Sequence, residues 1–184
     1  GWIESPPFFC AASETGRDVA VEYLETPMGS LPDHKFVQHA AQGEDYDALP
    51  ATSDNRRLAY LVEVYVDDYI ALAIPTSQHQ LKHVANAVMH GVHDVFPPAE
   101  EDTEDALSFK KLLKVEGMWA HIKDILGFTF DGLEKTLWLE EPKRNALLTI
   151  MHGWLRSSKR SQAGIPCAEC QSVISKLRHA FISI

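Results

Sequence analysis

Two adjacent acids, Asp67 and Asp68, sit in the middle of an otherwise apolar run, LVEVYVDDYIALAI, at 61–74. Neighbouring carboxylates repel and raise each other's pKa unless a cation neutralises them. A solvent-exposed acidic turn is the plain reading of such a pair. Here apolar residues press in from both sides and neither turn glycine is present, which favours a divalent metal held by hard oxygen ligands. The run reads as two strands over 58–74 joined at the acids. Alternation puts Val62, Val64 and Val66 on one face and Glu63 and Tyr65 on the other. Tight hairpin turns usually take Asn-Gly or Asp-Gly because their central residues need φ > 0, so Asp-Asp calls for a reason.

Several elements must position that hairpin. A proline-bearing turn leads into a helix from about 8 to 25, and 27–55, rich in Gly, Pro, Asp and His, reads as an irregular loop. Pro75 ends the hairpin, and Thr76 or Ser77 can cap a helix over 77–95. That helix carries His79, His83, His90 and His93. The four fall within an arc of about 80°, opposite Leu81, Val84, Val88, Val92 and Val95, so the spacing predicts a solvated face rather than a zinc site. PPAEEDTEDALS, next along the chain, reads as a solvated acidic connection, followed by the basic FKKLLK. DILGFTFDGLEKTLWLEE alternates on either side of Asp131-Gly132, a hairpin signal. Two helices, about 141–158 and 166–182, should end the chain, with Pro142 and Pro166 near their first positions. Cys167 and Cys170 have redox-motif spacing but no surrounding βαβ pattern, and read as small residues on a helix face.

The chain has 184 residues, 45% of them hydrophobic, which suits one domain or part of one. It opens at Gly1 without Met, inside what looks like a motif, and is expected to be a fragment of a longer polypeptide. No run of about 18 apolar residues exists, so no membrane span is expected. Three cysteines make no disulfide framework, and an intracellular, reducing setting is the expectation. The net charge of −9 is unevenly spread: 1–142 hold 10 Lys+Arg against 25 Asp+Glu, while 143–184 hold 7 against Glu169 alone. A basic end on an acidic body suits a polyanion partner and equally a solvated helical surface.

Order along the chain adds a family resemblance. YVDD at Tyr65–Asp68 resembles the Y-x-D-D box of reverse transcriptases. GWIESPPFF resembles the G-L-x-N-A-P-x-x-F segment of retrotransposon polymerases, with Gly1, Pro6 and Phe9 in register, Trp2 for Leu, Glu4 for Asn and Ser5 for Ala. DILGFTFDG resembles the F-L-G-[FYH]-x-[IV] primer-grip hairpin, with Ile125 in the Phe position. The resemblance implies an α+β fold. Residues 1–140 would be a partial palm, an antiparallel sheet with flanking helices, and 141–184 would be thumb-like basic helices. The fingers and first palm strand, with another metal-binding aspartate, would lie N-terminal in the parent polyprotein.

It also implies an activity: RNA-directed DNA polymerisation, in which two Mg²⁺ ions assist attack of a primer 3′-hydroxyl on a dNTP. Asp67 would be a metal ligand and Asp68 its supporting acid. Gly1, Pro6, Phe9 and Tyr65 would lie on the nucleotide and template side. Leu126, Gly127 and Phe128 would form the primer grip, and Arg156, Lys159 and Arg160 would meet the nucleic-acid backbone. Lys114 lies one residue from the register of a lysine that some polymerases use to protonate pyrophosphate, and otherwise reads as solvated. The partners are then an RNA or DNA template-primer and dNTP. As an isolated piece the chain should be inactive. Two rivals stand beside this reading: a degenerate palm that binds nucleic acid or protein without catalysis, and an unrelated metal-dependent phosphoesterase.

Overall fold

The computed structural model describes residues 5–40, 43–51, 57–99, 105–114, 117–158 and 167–181. The fold is α+β, with two small antiparallel sheets among seven helical segments in the described residues. The chain divides into two compact units, Gly1–Ala120 and His121–Ile184.

The first unit begins with α1 (Ser5–Leu24). Its start lies upstream of the expected Phe8 because a helix tolerates proline in its first turn, where the missing N–H has no partner to lose. Two single-turn helices, α2 (Val37–Ala40) and α3 (Glu44–Asp47), interrupt the loop that follows. The hairpin is β1 (Ala59–Tyr65) and β2 (Asp68–Ile74), in register from Ala59↔Ile74 to Tyr65↔Asp68. Then come α4 (Gln78–Val95) and the one-turn α5 (Phe109–Leu112). Ser77 takes the N-cap position of α4, but its hydroxyl makes no cap bond. The side chain of Gln80 instead accepts the Thr76 N–H at 2.7 Å.

Helices α1 and α4 lie against each other so closely that side chains are excluded at the crossing. A Cβ added at Gly91 would stand 2.5 Å from the Gly16 carbonyl oxygen and 2.7 Å from the Ala20 nitrogen. Val62 of β1 buries on this pair, clustered with Leu24, Val84 and Ala87 and flanked by Ala71 and Ala73 of β2. Tyr69 donates its hydroxyl to the Ser13 carbonyl at 2.8 Å, fastening β2 to α1.

Helix α4 has a second packed side. Ala85 and Met89 cluster with Phe36, Val37 and Ala40, flanked by Leu107, Phe109 and Leu112. This corrects the solvated histidine face. His83 is buried, His93 keeps 9% of its side-chain exposure, and His90 is half-buried against the Pro32 carbonyl. The segments over 27–40 and 105–112 cover His90 and His93, while His83 bonds the Leu24 backbone. The acidic connection is corrected in the same way at Asp105, whose side chain is 0% exposed; its residues 100–104 lie outside the described set.

The second unit is a three-stranded meander, β3 (Ile122–Ile125), β4 (Phe128–Asp131) and β5 (Thr136–Leu139), followed by α6 (Glu141–Ser158) and α7 (Cys167–Phe181). The Asp131-Gly132 hairpin forms, though not as a two-residue turn. The Asp131 carboxylate accepts the N–H groups of Leu133 and Glu134, and Lys135 supplies the positive φ of 55°. An aspartate side chain that captures the next amides builds a longer loop than the dipeptide suggests. The tight turn is instead Leu126-Gly127, with φ of 53° and 88° between the paired Ile125 and Phe128. Positive φ at both central residues defines a type I′ turn. Exposed Cys167 and half-buried Cys170 sit in the first turn of α7 as free thiols.

Candidate functional site

The hairpin carries its acids differently from the expected arrangement. Tyr65 pairs with Asp68, so the two central turn residues are Val66 and Asp67. Val66 therefore does not continue the valine face; it stands 45% exposed at the tip with φ 59°. Asp67 keeps negative φ, the II′ pattern, whose first position normally takes glycine. A β-branched residue there is a real outlier, costing about 1–3 kcal/mol that the surrounding strands must hold.

The turn gives the two carboxylates different surroundings. Asp67 projects from the tip, exposed, with no hydrogen bond or ion pair among the described residues. Asp68 is the first residue of β2 and accepts from the Lys111 ammonium at 2.8 Å, the two side chains being 44% and 55% exposed. The cation beside the pair is thus a lysine from α5. Lys114, one turn further on, is exposed, in keeping with its reading as a solvated lysine. Ser108 brings Lys111 into place by capping α5, its hydroxyl accepting the Lys111 N–H at 3.4 Å. On α1, Arg17 bridges Glu63 of β1 at 3.0 Å and Asp18 at 2.7 Å. Tyr69, next to Asp68, has its hydroxyl pKa raised by burial and stays a neutral donor.

Tyr65 is 57% exposed on the outer face of the hairpin. Phe9 lies on α1 and stacks on Phe96, ring centroids 5.7 Å apart. Pro6 falls in the first turn of α1, while Gly1 lies outside the described residues. Leu126, Gly127 and Phe128 belong to the second unit, where Phe128 is buried and Leu126 exposed. A Cβ on Gly127 would collide with the Lys143 ammonium, whose flexible side chain already fills the space beside that turn. Arg156 is exposed on α6; Lys159 and Arg160 lie outside the described residues.

As a donor set, Asp67 and Asp68 are hard oxygens of the kind Mg²⁺ takes, one or two carboxylates being completed by water and substrate phosphates. They fit the ion in chemical type. No group of three His, Cys, Asp or Glu able to hold a metal occurs among the described residues, so any such ion needs ligands from elsewhere. No described helix is long and apolar enough to cross a membrane. Comparison with protein-family models, curated proteins and solved structures finds no match for this chain.

Proposed function

We propose that the chain is a palm and thumb portion of an RNA-directed DNA polymerase, with residues 1–140 as partial palm and 141–184 as thumb-like helices. The observation that supports this most is the strained turn that lifts Asp67 out of the β1–β2 hairpin. Backbone strain of this kind concentrates at sites where a side chain must be aimed, and it persists only when the surroundings hold it. Val66 in the left-handed region aims Asp67 outward, clear of every described partner.

In the proposed reaction the primer 3′-oxygen attacks the α-phosphorus of a dNTP. A new P–O bond forms, the bond to the β-phosphate oxygen breaks, and pyrophosphate leaves as the hydroxyl proton is lost. Asp67, with Asp68 beside it and a further carboxylate from outside this sequence, would hold Mg²⁺, which would supply charge neutralisation for that transfer. Tyr65 offers an exposed ring beside the acids, against which a nucleotide can stack. The Leu126-Gly127 backbone, with the Lys143 ammonium in place of a side chain at Gly127, suits a primer phosphate. Exposed Arg156 suits a phosphate partner. Template-primer and dNTP are the partners of this reading, and an intracellular location goes with it.

The Lys111–Asp68 ion pair favours a second reading, a degenerate palm that keeps the hairpin but has replaced the metal with an internal ammonium. The two separate on one experiment. Mn²⁺ added to the purified chain should broaden the amide resonances of 65–68, and Asp67→Asn should abolish the effect. Template-directed incorporation by the isolated chain should be absent in either case. Hairpin resonances indifferent to millimolar Mn²⁺ would favour the degenerate palm.

A further inference from the structure

Three polar side chains, His93 of α4 among them, make a hydrogen-bonded chain whose direction is fixed at both ends. The Phe36 N–H donates to His34 Nδ1 at 3.2 Å, so that nitrogen is bare and the ring proton sits on Nε2. His34 Nε2 lies 2.8 Å from His93 Nδ1, which must therefore accept. The His93 proton is then on Nε2, donating to Asp105 Oδ1 at 2.6 Å. Asp105, with no exposed side-chain surface, also accepts the Leu107 N–H at 2.9 Å and the Lys35 ammonium at 3.0 Å. Every nitrogen is used once, and both imidazoles are neutral.

We propose that His34, His93 and Asp105 are a proton-operated latch, closed at neutral pH, that holds the 32–36 and 105–109 segments on α4 and releases them on acidification. An added proton has no acceptor within the relay. Placed on His93 Nδ1, it faces the His34 Nε2–H; placed on His34 Nδ1, it faces the Phe36 N–H. Shifting the His34 proton to Nδ1 only moves the conflict along. A buried donor without an acceptor is strongly unfavourable, enough to open a surface segment.

The surrounding charges send the proton to a histidine and give it no other home. Burial works to raise the Asp105 pKa, but hydrogen bonds from His93, Leu107 and Lys35 outweigh it and hold the carboxyl below its usual value. Burial, then the nearness of His93, His90 and Lys35, all of which disfavour a further positive charge, lower the His34 pKa to about 4, against a smaller opposing pull from Asp105. Two more acids face the site, and both are engaged: Asp33 with Lys82 at 2.6 Å and Asp94 with the Tyr23 hydroxyl. His90, on the same face of α4, makes its 3.0 Å bond with the Pro32 carbonyl, which a second proton leaves intact. The released segments include Phe36 and Phe109, stacked 5.4 Å apart, and the stretch that carries Lys111 to Asp68.

The test is a titration of the whole chain by NMR, following imidazole nitrogens and amide exchange from pH 7.5 to 4. At neutral pH both rings should be Nε2–H tautomers. On acidification between pH 6.5 and 4 the protection of the Phe36 and Leu107 amides should fall, about tenfold per pH unit for each proton the opened segments take up, after correction for intrinsic exchange. In His93→Gln the amide oxygen can accept from His34 and the NH₂ can donate to Asp105 without titrating, so protection should hold across this range. Amides whose protection ignores pH in the wild type, or falls equally in His93→Gln, would overturn the latch. If His93→Gln fails to fold, the wild-type amides decide alone, since protection that ignores pH between 6.5 and 4 overturns the latch.

Discussion

The Lys111 ammonium stands 2.8 Å from the Asp68 carboxylate, where a chain read as a metal-dependent polymerase would hold its charge-neutralising ion. Both partners are half-exposed, so the pair contributes at most about 1 kcal/mol to stability. Its larger consequence is competition. Lys111→Met should leave the urea midpoint nearly unchanged and tighten Mn²⁺ binding at the hairpin several-fold, measured by relaxation enhancement. Weaker Mn²⁺ binding in that variant would mean that Lys111 assists the acids instead of competing for them.

Val66 concerns the turn itself. Asparagine tolerates positive φ far better than a β-branched residue. Val66→Asn should therefore stabilise the chain by about 1 kcal/mol in chemical denaturation, provided that the strain stays local. A loss of stability would show that the Val66 side chain makes a contact that outweighs its backbone strain.

Gly91→Ala tests the helix crossing. The added methyl would enter the space of the Gly16 carbonyl and the Ala20 backbone, neither of which can rotate away. Overpacking of this kind costs about 1–3 kcal/mol or more. An unchanged melting temperature would mean that α1 and α4 lie further apart than described.

Where periodicity was local, the sequence was readable. The bounds 77–95 and 141–158 fall within one residue of α4 and α6, because an amphipathic pattern follows Pro75 in the first and Pro142 marks the start of the second. The hairpin was legible for the same reason, but its turn was displaced by one residue. The rule that turns want glycine cannot foresee Val66 held at positive φ. The histidines failed in a more instructive way. What covers His93 is Asp105, twelve positions on, and His34, fifty-nine back, in stretches without any period of their own. Lys111 was missed at Asp68 for the same reason, since a partner forty-three residues away leaves no local signal.

Acid should weaken the fold before it reaches the carboxylates. His34, buried, binds its proton at about 4 instead of the ordinary 6.5, and burial lowers His83 in the same direction. The unfolded state binds more protons between those values, so stability falls as pH drops through that window. From His34 alone the loss approaches about 3 kcal/mol at pH 4. Urea midpoints at pH 7.5, 6, 5 and 4 should show it, with the steepest decline below 6. A midpoint that rises or stays flat over that range would contradict the buried neutral state of both rings.

The most direct test of the central claim belongs in a longer polypeptide that supplies the further carboxylate-bearing palm strand. Asp67→Asn keeps the shape of the side chain and removes its charge, so the hairpin should fold as before. Mg²⁺-dependent addition of dNTP to a primed RNA template should be abolished. If the Asp67→Asn variant extends the primer at the wild-type rate, the pair at 67 and 68 is only a turn, and the polymerase reading fails.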